Sequence, residues 1–388
     1  MDRIFDNTEK AFALKKDSEL ERAYFLFKMI ANEPLVRIGT AVTNFALKAH
    51  LPVEGLIRAT VFDHFCGGTT EDDCLQLVDR MYDYGVSAIL DYSVEGKEEE
   101  SQFDAAMQKK ISLIEFAKNK DAISFAVLKP TALGRFALWQ KVTEQGDLSD
   151  KEQQEWQRIE NRIDAICQRA AACEVYLLID GEESWMQDAA DELVEKMMRR
   201  YNEEKAYIFN TVQCYRWDRM DYVKKLHEKA KTDGFKVGLK IVRGAYMEKE
   251  AERAKEKGYQ NPICASKQAT DENFNKVMAY IMNDLDVFSL FVGSHNEASN
   301  YLAMELMRDL GIANNDHRIW FGQLLGMSDH LTFNLAAEGY NSVKLIPFGP
   351  VKDVMPYLIR RAQENTSVAG QTTRELDLLK KEKERRGI

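Results

Sequence analysis

Two adjacent arginines near the C-terminus have the types and spacing to do chemistry. Tyr357, Arg360, Arg361 and Glu364 stand at i, i+3, i+4 and i+7. On a helix that spacing puts all four on one face. The stretch from Tyr357 to Asn365 holds no Gly or Pro, and Pro356 suits a first-turn position, so a helix is expected to begin there. Two guanidinium groups beside a tyrosine suit a small carboxylate held by a cationic fork, its apolar body against the ring. A solvated face with an Arg–Glu pair is the commoner use of such charges. The rest of the chain has to decide between the two.

Further polar residues follow or close short apolar runs. They are Asp91 and Tyr92, Lys129, Asp180, Gln213, Lys240 with Arg243 and Tyr246, His295 and Asn296, and Gln323. Each alone has a structural explanation, such as Asp180 capping a helix or His295 satisfying a loop carbonyl. Their recurrence after every run is the informative feature. The set is cationic (Lys129, Lys240, Arg243, Arg360, Arg361) with amides and tyrosines. It suits an anionic cofactor together with a small anionic substrate. Gly244 and Ala245 let backbone approach a flat or phosphorylated ligand. Lys240 and Arg243 are placed to stabilise negative charge developing on a cofactor. One histidine in this set, without a clustered pair or an HExxH motif, disfavours a metal hydrolase, and no metal ligand set is assigned. No G-x-S-x-G elbow and no strand-following G-x-G-x-x-G is present. A lyase using Lys129 as a Schiff base, or a non-enzymatic amino-acid-binding module, stays open as an alternative.

These residues need elements to position them. Short apolar runs are expected as strands at Ser87 to Asp91, Ile123 to Leu128, Val175 to Asp180, Tyr207 to Val212, Lys236 to Val242, Phe288 to Val292, Ile319 to Phe321 and Ser342 to Ile346. Each is followed by a segment long enough for a helix. The pattern predicts an α/β fold, a (β/α)8 TIM barrel, whose strand ends share one rim. The barrel is expected over 86–365, after an N-terminal helical arm over 1–85 and before a polar, then basic helical tail over 366–388. Helices in the arm are expected at Leu20 to Ile30, Pro34 to Ala49 and Glu71 to Tyr84. His64 and Cys66 in the arm have no second pair to complete a metal site and read as structural.

The chain has 388 residues, is 45% hydrophobic and carries a net charge of -10, which gives a large core and no basic field for nucleic acid. The six cysteines form no CxxC pair, the start resembles no signal peptide, and no run reaches the ~20 apolar residues of a membrane span. The expected location is cytoplasmic, with peripheral contact on the inner membrane open, and the oligomeric state is open too.

The motifs in order are Leu90-Asp-Tyr-Ser-Val-Glu-Gly96, Val127-Leu-Lys-Pro-Thr-Ala-Leu133, Leu178-Ile-Asp-Gly-Glu182, Thr211-Val-Gln-Cys-Tyr215, Lys240-Ile-Val-Arg-Gly-Ala-Tyr246, Ser294-His-Asn296, Phe321-Gly-Gln-Leu-Leu-Gly-Met327 and Tyr357 to Asn365. Together they resemble the proline dehydrogenase (proline oxidase) family in its monofunctional, FAD-dependent form. The resemblance implies a distorted (β/α)8 barrel with its last helix over the mouth. It implies that Arg360, Arg361 and Lys129 hold a proline carboxylate, with Tyr357, Tyr246 and Leu345 around the ring. Asp180 would order the cationic cluster. Gln213, Lys240, Arg243, Gly244, Ala245, Ser294 and His295 would contact FAD, and Glu364 would tie the last helix to the cofactor or the rim. The stretch Asn261 to Asp271 would cover the adenine end, with no residue assigned.

The implied reaction is oxidation of L-proline to 1-pyrroline-5-carboxylate, the first step of proline catabolism, with electrons passed to quinone. The basic tail then has a membrane contact as one reading and a solvated helix as the other. Two positions depart from the family pattern. Lys240 stands where many bacterial members have Arg. Leu345 stands where proline-specific members have Tyr and hydroxyproline-preferring members a small residue. Trans-4-hydroxy-L-proline is therefore an alternative substrate.

Overall fold

The computed structural model describes residues 3–31, 55, 58–92, 99–367 and 371–388, with the backbone alone at 59, 60, 360, 362–367 and 371. The helix expected over Pro34 to Ala49 lies outside the described residues. Eight strands form a closed barrel in chain order. They are β1 (Val86–Tyr92), β2 (Ile123–Leu128), β3 (Tyr176–Ile179), β4 (Ile208–Gln213), β5 (Val237–Val242), β6 (Phe288–Gly293), β7 (Ile319–Leu324) and β8 (Ser342–Phe348). The expected (β/α)8 class is observed. β7 and β8 run further than expected, so Gln323 and Pro347 lie within strands. Among the described residues no helix is long and apolar enough to cross a membrane.

The chain divides into two compact units, Gly96–Gly322 and Met1–Glu95 with Gln323–Ile388. In the first, β2 to β7 are almost continuously apolar and buried, as strands covered on both faces must be. Every second side chain points inward. Phe125 packs against Tyr176 at 4.8 Å, Phe291 at 5.3 Å and Trp320 at 5.0 Å between ring centroids, with Phe209 at 6.1 Å. Five strands thus supply one aromatic layer. Gly238 and Gly322 make room for it. A Cβ on Gly322 would lie 2.2 Å from Phe291, and one on Gly238 would lie 2.7 Å from Phe209 and 2.6 Å from the Ile208 carbonyl oxygen.

In the second unit the helix Asp17–Ile30 packs on the C-terminal helix Gln371–Arg386. Leu20, Ala23 and Phe27 meet Leu378 and Leu379, with Ala11 and Phe12 beside them. The basic residues of the tail are engaged. Arg386 pairs with Asp17 at 3.0 Å, Arg385 with Glu382 at 2.8 Å and Lys383 with Glu21 at 3.5 Å. β8 carries Lys344, fully buried between Asp329 at 2.9 Å and the carbonyls of Leu324 and Met327. Burial alone would raise the Asp329 carboxyl, but Lys15 and Lys344 hold it well below its ordinary range. His64 is buried, with Nε2 2.9 Å from the Gly326 carbonyl, a structural role as expected.

The arginine-bearing helix spans Val351–Ser367. It therefore starts earlier than expected, and Pro356 lies inside it. The physical reason is an apolar stripe. Val351, Val354, Met355 and Leu358 are buried with Leu26, Ile30, Phe62 and Phe65. That burial outweighs the one intrahelical bond a proline removes.

Gly238→Ala should destabilise the fold by about 1–3 kcal/mol, because the backbone carbonyl it meets cannot rotate aside. Urea denaturation of the two proteins, with unchanged slope and a lower midpoint, is the expected outcome.

Candidate active site

The inward parity that builds the aromatic layer also sets the next layers in the unit Gly96–Gly322. Counting by two from Phe125, Tyr176, Phe209 and Gly238 reaches Lys129, Asp180, Gln213 and Lys240. Lys240 donates from Nζ to Asp180 Oδ1 across 60 residues of sequence, and Lys240 is only 8% exposed. An ammonium so deep needs its counter-charge. Gln213 donates from Nε2 to the Glu182 carbonyl at 2.6 Å. The Glu182 side chain accepts from the Thr131 backbone N–H at 3.0 Å and the Thr131 hydroxyl at 2.7 Å. Burial raises the Glu182 carboxyl to about 7, against the pull of Lys129 and the Thr131 donors. Burial also raises the Tyr246 phenol, with Lys129 the largest opposing charge and Glu182 and Asp180 adding to the rise. Lys129, Asp180, Glu182 and Tyr246 therefore share one electrostatic neighbourhood.

Arg243 anchors a second cluster. Its Nε donates to Asp271 at 2.6 Å, Nη1 to the Ser294 hydroxyl at 3.0 Å and Nη2 to the Ser299 hydroxyl at 3.0 Å. Its guanidinium also lies 4.6 Å from the Phe274 ring centroid. Burial alone would raise Asp271, yet Lys267 and Arg243 hold it below its usual range. Next comes Gly244, with φ +134, a conformation that favours glycine; a Cβ there would stand 2.6 Å from the Tyr215 ring. Gly244 and Ala245 leave exposed backbone at the end of β5.

The chain after β4 forms a shelf beside that glycine. The Tyr215 N–H donates to the Arg243 carbonyl at 2.6 Å, and Arg216 bridges Ile263 in antiparallel fashion. Trp217 donates from Nε1 to the Asn261 carbonyl at 3.1 Å while its residue stays 50% exposed. His295 is half-buried after β6, and Asn296 caps the helix Glu297–Asp309 by accepting from the Ser299 N–H. An open cleft of about 460 Å³ nearby is lined by Phe136, Glu183, Trp185, Lys249 and Arg253. It takes in none of the residues singled out above, and the Lys249–Glu183 pair at 2.8 Å belongs to its surface.

In the other compact unit Tyr357 is buried, and the Arg361 guanidinium lies 5.0 Å from its ring centroid. Leu345 is half-buried on β8, its carbonyl accepting from the Leu325 N–H at 2.9 Å. The side chains of Arg360 and Glu364 lie outside the described residues.

Sequence reasoning passed over Glu182, Asp271, Ser299 and Trp217. Glu182 closes the quoted Leu178 to Glu182 motif two residues beyond Asp180, so its signal was within reach. Asp271 ends the stretch left unassigned at the adenine end. Ser299 and Trp217 gave no signal, since nothing in the sequence aligns one helix turn or one loop indole with a distant arginine.

The class defined here is a (β/α)8 barrel whose strand ends gather cations around an exposed glycine backbone. The family can be stated as well. A family model described as Proline dehydrogenase matches residues 74–374. The chain belongs to the proline dehydrogenase family of oxidoreductases. It is 34% identical to the carbapenem antibiotics biosynthesis protein CarD of Pectobacterium carotovorum subsp. carotovorum, over 93% of this chain and 94% of that protein. It is 39% identical to proline dehydrogenase 1, mitochondrial, of Drosophila melanogaster, over 61% of this chain and 36% of that one. It is 30% identical to hydroxyproline dehydrogenase of Xenopus laevis, over 97% and 88% respectively. The solved structure of proline utilization A from Bdellovibrio bacteriovorus, inactivated by N-propargylglycine, is similar with a TM-score of 0.70 and 18% identity, over 97% of this chain and 41% of that one. The fly and Bdellovibrio proteins are thus matched over less than half their lengths.

Asp180→Asn should leave the Lys240 ammonium without its counter-charge and lower stability by about 2–4 kcal/mol. Adding Lys240→Met should recover part of that loss. A double-mutant cycle by denaturant unfolding measures it, and strictly additive losses would deny the coupling.

Proposed function

We propose that the protein oxidises L-proline to 1-pyrroline-5-carboxylate with FAD as its cofactor. The observation that carries this reading is the pairing of a buried Lys240–Asp180 ion pair with the Arg243–Gly244 cradle, in a chain of this family. The residues suit a flavin dinucleotide. Gly244 and Ala245 offer exposed backbone, the Gly244 Cβ position being taken by the Tyr215 ring, Arg243 and Lys240 offer positive charge, and Trp217 offers a fixed exposed ring for stacking. FAD, when bound, would supply the hydride acceptor and the route by which electrons reach quinone.

The chain's own residues supply the rest. Lys240 and Arg243 stabilise negative charge arising on the cofactor, and Asp180 keeps the Lys240 ammonium in place. Gln213, Ser294, His295 and Glu364 complete the cofactor contacts. Arg360, Arg361 and Lys129 hold the substrate carboxylate, which fixes the ring carbon beside the nitrogen. Tyr246 and Tyr357 flank the ring. The ring nitrogen must be neutral, because a positive nitrogen opposes hydride loss. Leu345 favours a second reading on the same site, trans-4-hydroxy-L-proline as preferred substrate, since it sets the room and polarity beside the far ring carbon. The hydroxyproline dehydrogenase relative supports keeping that reading.

The test is direct. Protein purified with FAD should be yellow, and its flavin absorbance should bleach on anaerobic addition of L-proline. Colourless protein that binds no FAD would end the reading. Steady-state kinetics with proline and trans-4-hydroxyproline side by side decide the substrate. Arg360→Met should raise KM for proline by about one to three orders of magnitude through loss of a charge-assisted fork, with FAD content nearly unchanged. Unaltered kinetics would remove that helix from the site.

A further inference from the structure

Glu182 is a buried acid that the reaction as written does not use. It lies three residues beyond β3 at 5% exposure, and its position is fixed from three sides. Its carboxylate takes both donors of Thr131, two residues beyond Lys129. Its N–H donates to Gln187 Oε1 at 2.8 Å, and its carbonyl accepts from Gln213 at 2.6 Å. Gln187 in turn donates to Asp191 at 2.8 Å, which also accepts from Asn210 and Arg219, each at 2.8 Å. The acid therefore stands on a buried polar network and cannot swing away.

We infer that Glu182 is a positioning residue which holds its proton more tightly when a carboxylate binds at Lys129, so that anion binding and proton uptake are linked. This rests on the proposed substrate reading. The physical argument is electrostatic. Thr131, which donates twice to the carboxyl, stands two residues beyond Lys129, and the Lys129 charge stabilises the ionised form. A substrate carboxylate paired with Lys129 cancels that stabilisation, and the buried acid then holds its proton more tightly. Both states of Glu182 are satisfied, because the Thr131 hydroxyl can donate to the ionised oxygen or turn and accept from the protonated one. The other charged groups nearby are Glu183, which is paired with Lys249, and Asp180, which is paired with Lys240, while Tyr246 is held neutral by burial.

The proton balance explains the use. Proline arrives as a zwitterion, and its amine must shed a proton before hydride can leave. One proton gained at a Glu182 oxygen and one lost from the ammonium nitrogen leave the net charge unchanged. Binding the carboxylate thus creates an acceptor for the proton the amine must lose.

The experiment uses FAD-loaded protein and tetrahydro-2-furoic acid, a ring carboxylate with no amine. Calorimetric titration in buffers of different ionisation enthalpy counts the protons exchanged. With the acid near 7 when free and raised by about one unit on binding, uptake at pH 7.5 should be about half a proton per site. The dissociation constant should rise about tenfold as pH passes from below 7 to above 8. Glu182→Gln keeps an acceptor for Thr131 and removes the titration, so it should bind with no proton uptake and a flat pH profile. Wild-type binding without proton uptake would overturn this inference alone, as would equal uptake by Glu182→Gln. Failure to bind the ring carboxylate at all would overturn the substrate reading with it. Should the variant not fold, the wild-type pH profile decides, a flat profile counting against the inference.

Discussion

A parallel strand shows its side chains alternately to the barrel interior and to the covering helices, and the rest of the site depends on that alternation. Once Phe125 is inside, Val127 and Lys129 are inside as well. The same step carries Tyr176 to Asp180, Phe209 to Gln213 and Gly238 to Lys240. The polar residues beyond the aromatic layer, Lys240 and Glu182 among them, are buried where charge is expensive. That is why Lys240 and Asp180 must pair, and why Glu182 titrates far from its usual range.

The second compact unit solves a different problem. Its C-terminal helix Gln371–Arg386 and N-terminal helix Asp17–Ile30 come from opposite ends of the chain, yet they share a core at Phe27, Leu378 and Leu379. Glu375 accepts from the Ser328 N–H just ahead of Asp329, which pairs with Lys344 of β8 and with Lys15. The helix Val351–Ser367 buries its apolar stripe against Leu26 and Ile30 of the N-terminal helix and against Phe62 and Phe65. The basic residues of the tail serve this docking. Lys381 donates to the Asp6 carbonyl, and Arg386 to the carbonyls of Phe12 and Lys15. The sequence alone does not distinguish a docked lysine-rich helix from one whose charges are all solvated.

The eight strands were legible because each is a short apolar run bounded by breaks, and β2 agrees to the residue. Strand ends were less so: β7 continues through Gly322 and Gln323, where glycine normally argues for a turn, because Gly322 is needed to admit Phe291. The start of the arginine helix was misplaced for a related reason. Pro356 reads as a first-turn residue, but the buried stripe beginning at Val351 overrides it. At the site, sequence spacing found Lys129, Asp180, Gln213, Lys240 and Arg243, all tied to strand ends. It missed Asp271 and Ser299, which reach Arg243 from the turns of two different helices. Such convergence is a tertiary fact with no local trace.

The described cations of the strand ends are each met by an acid before any ligand arrives. Lys240 has Asp180, Arg243 has Asp271, and Lys129 has Glu182 close by. A binding site for anions that is already neutralised must exchange partners to bind, and the three acids differ in how readily they yield. Asp180 holds the most deeply buried of these ammonium groups, so releasing it would strand a charge. Asp271 has Lys267 as a second cation at 2.9 Å and stays ionised. Glu182 alone is buried strongly enough to outweigh the charge and donors that favour its ionised form, so a proton can replace its cation at little cost. Of the three, it is the one acid whose charge the site can give up when a carboxylate takes its place beside Lys129.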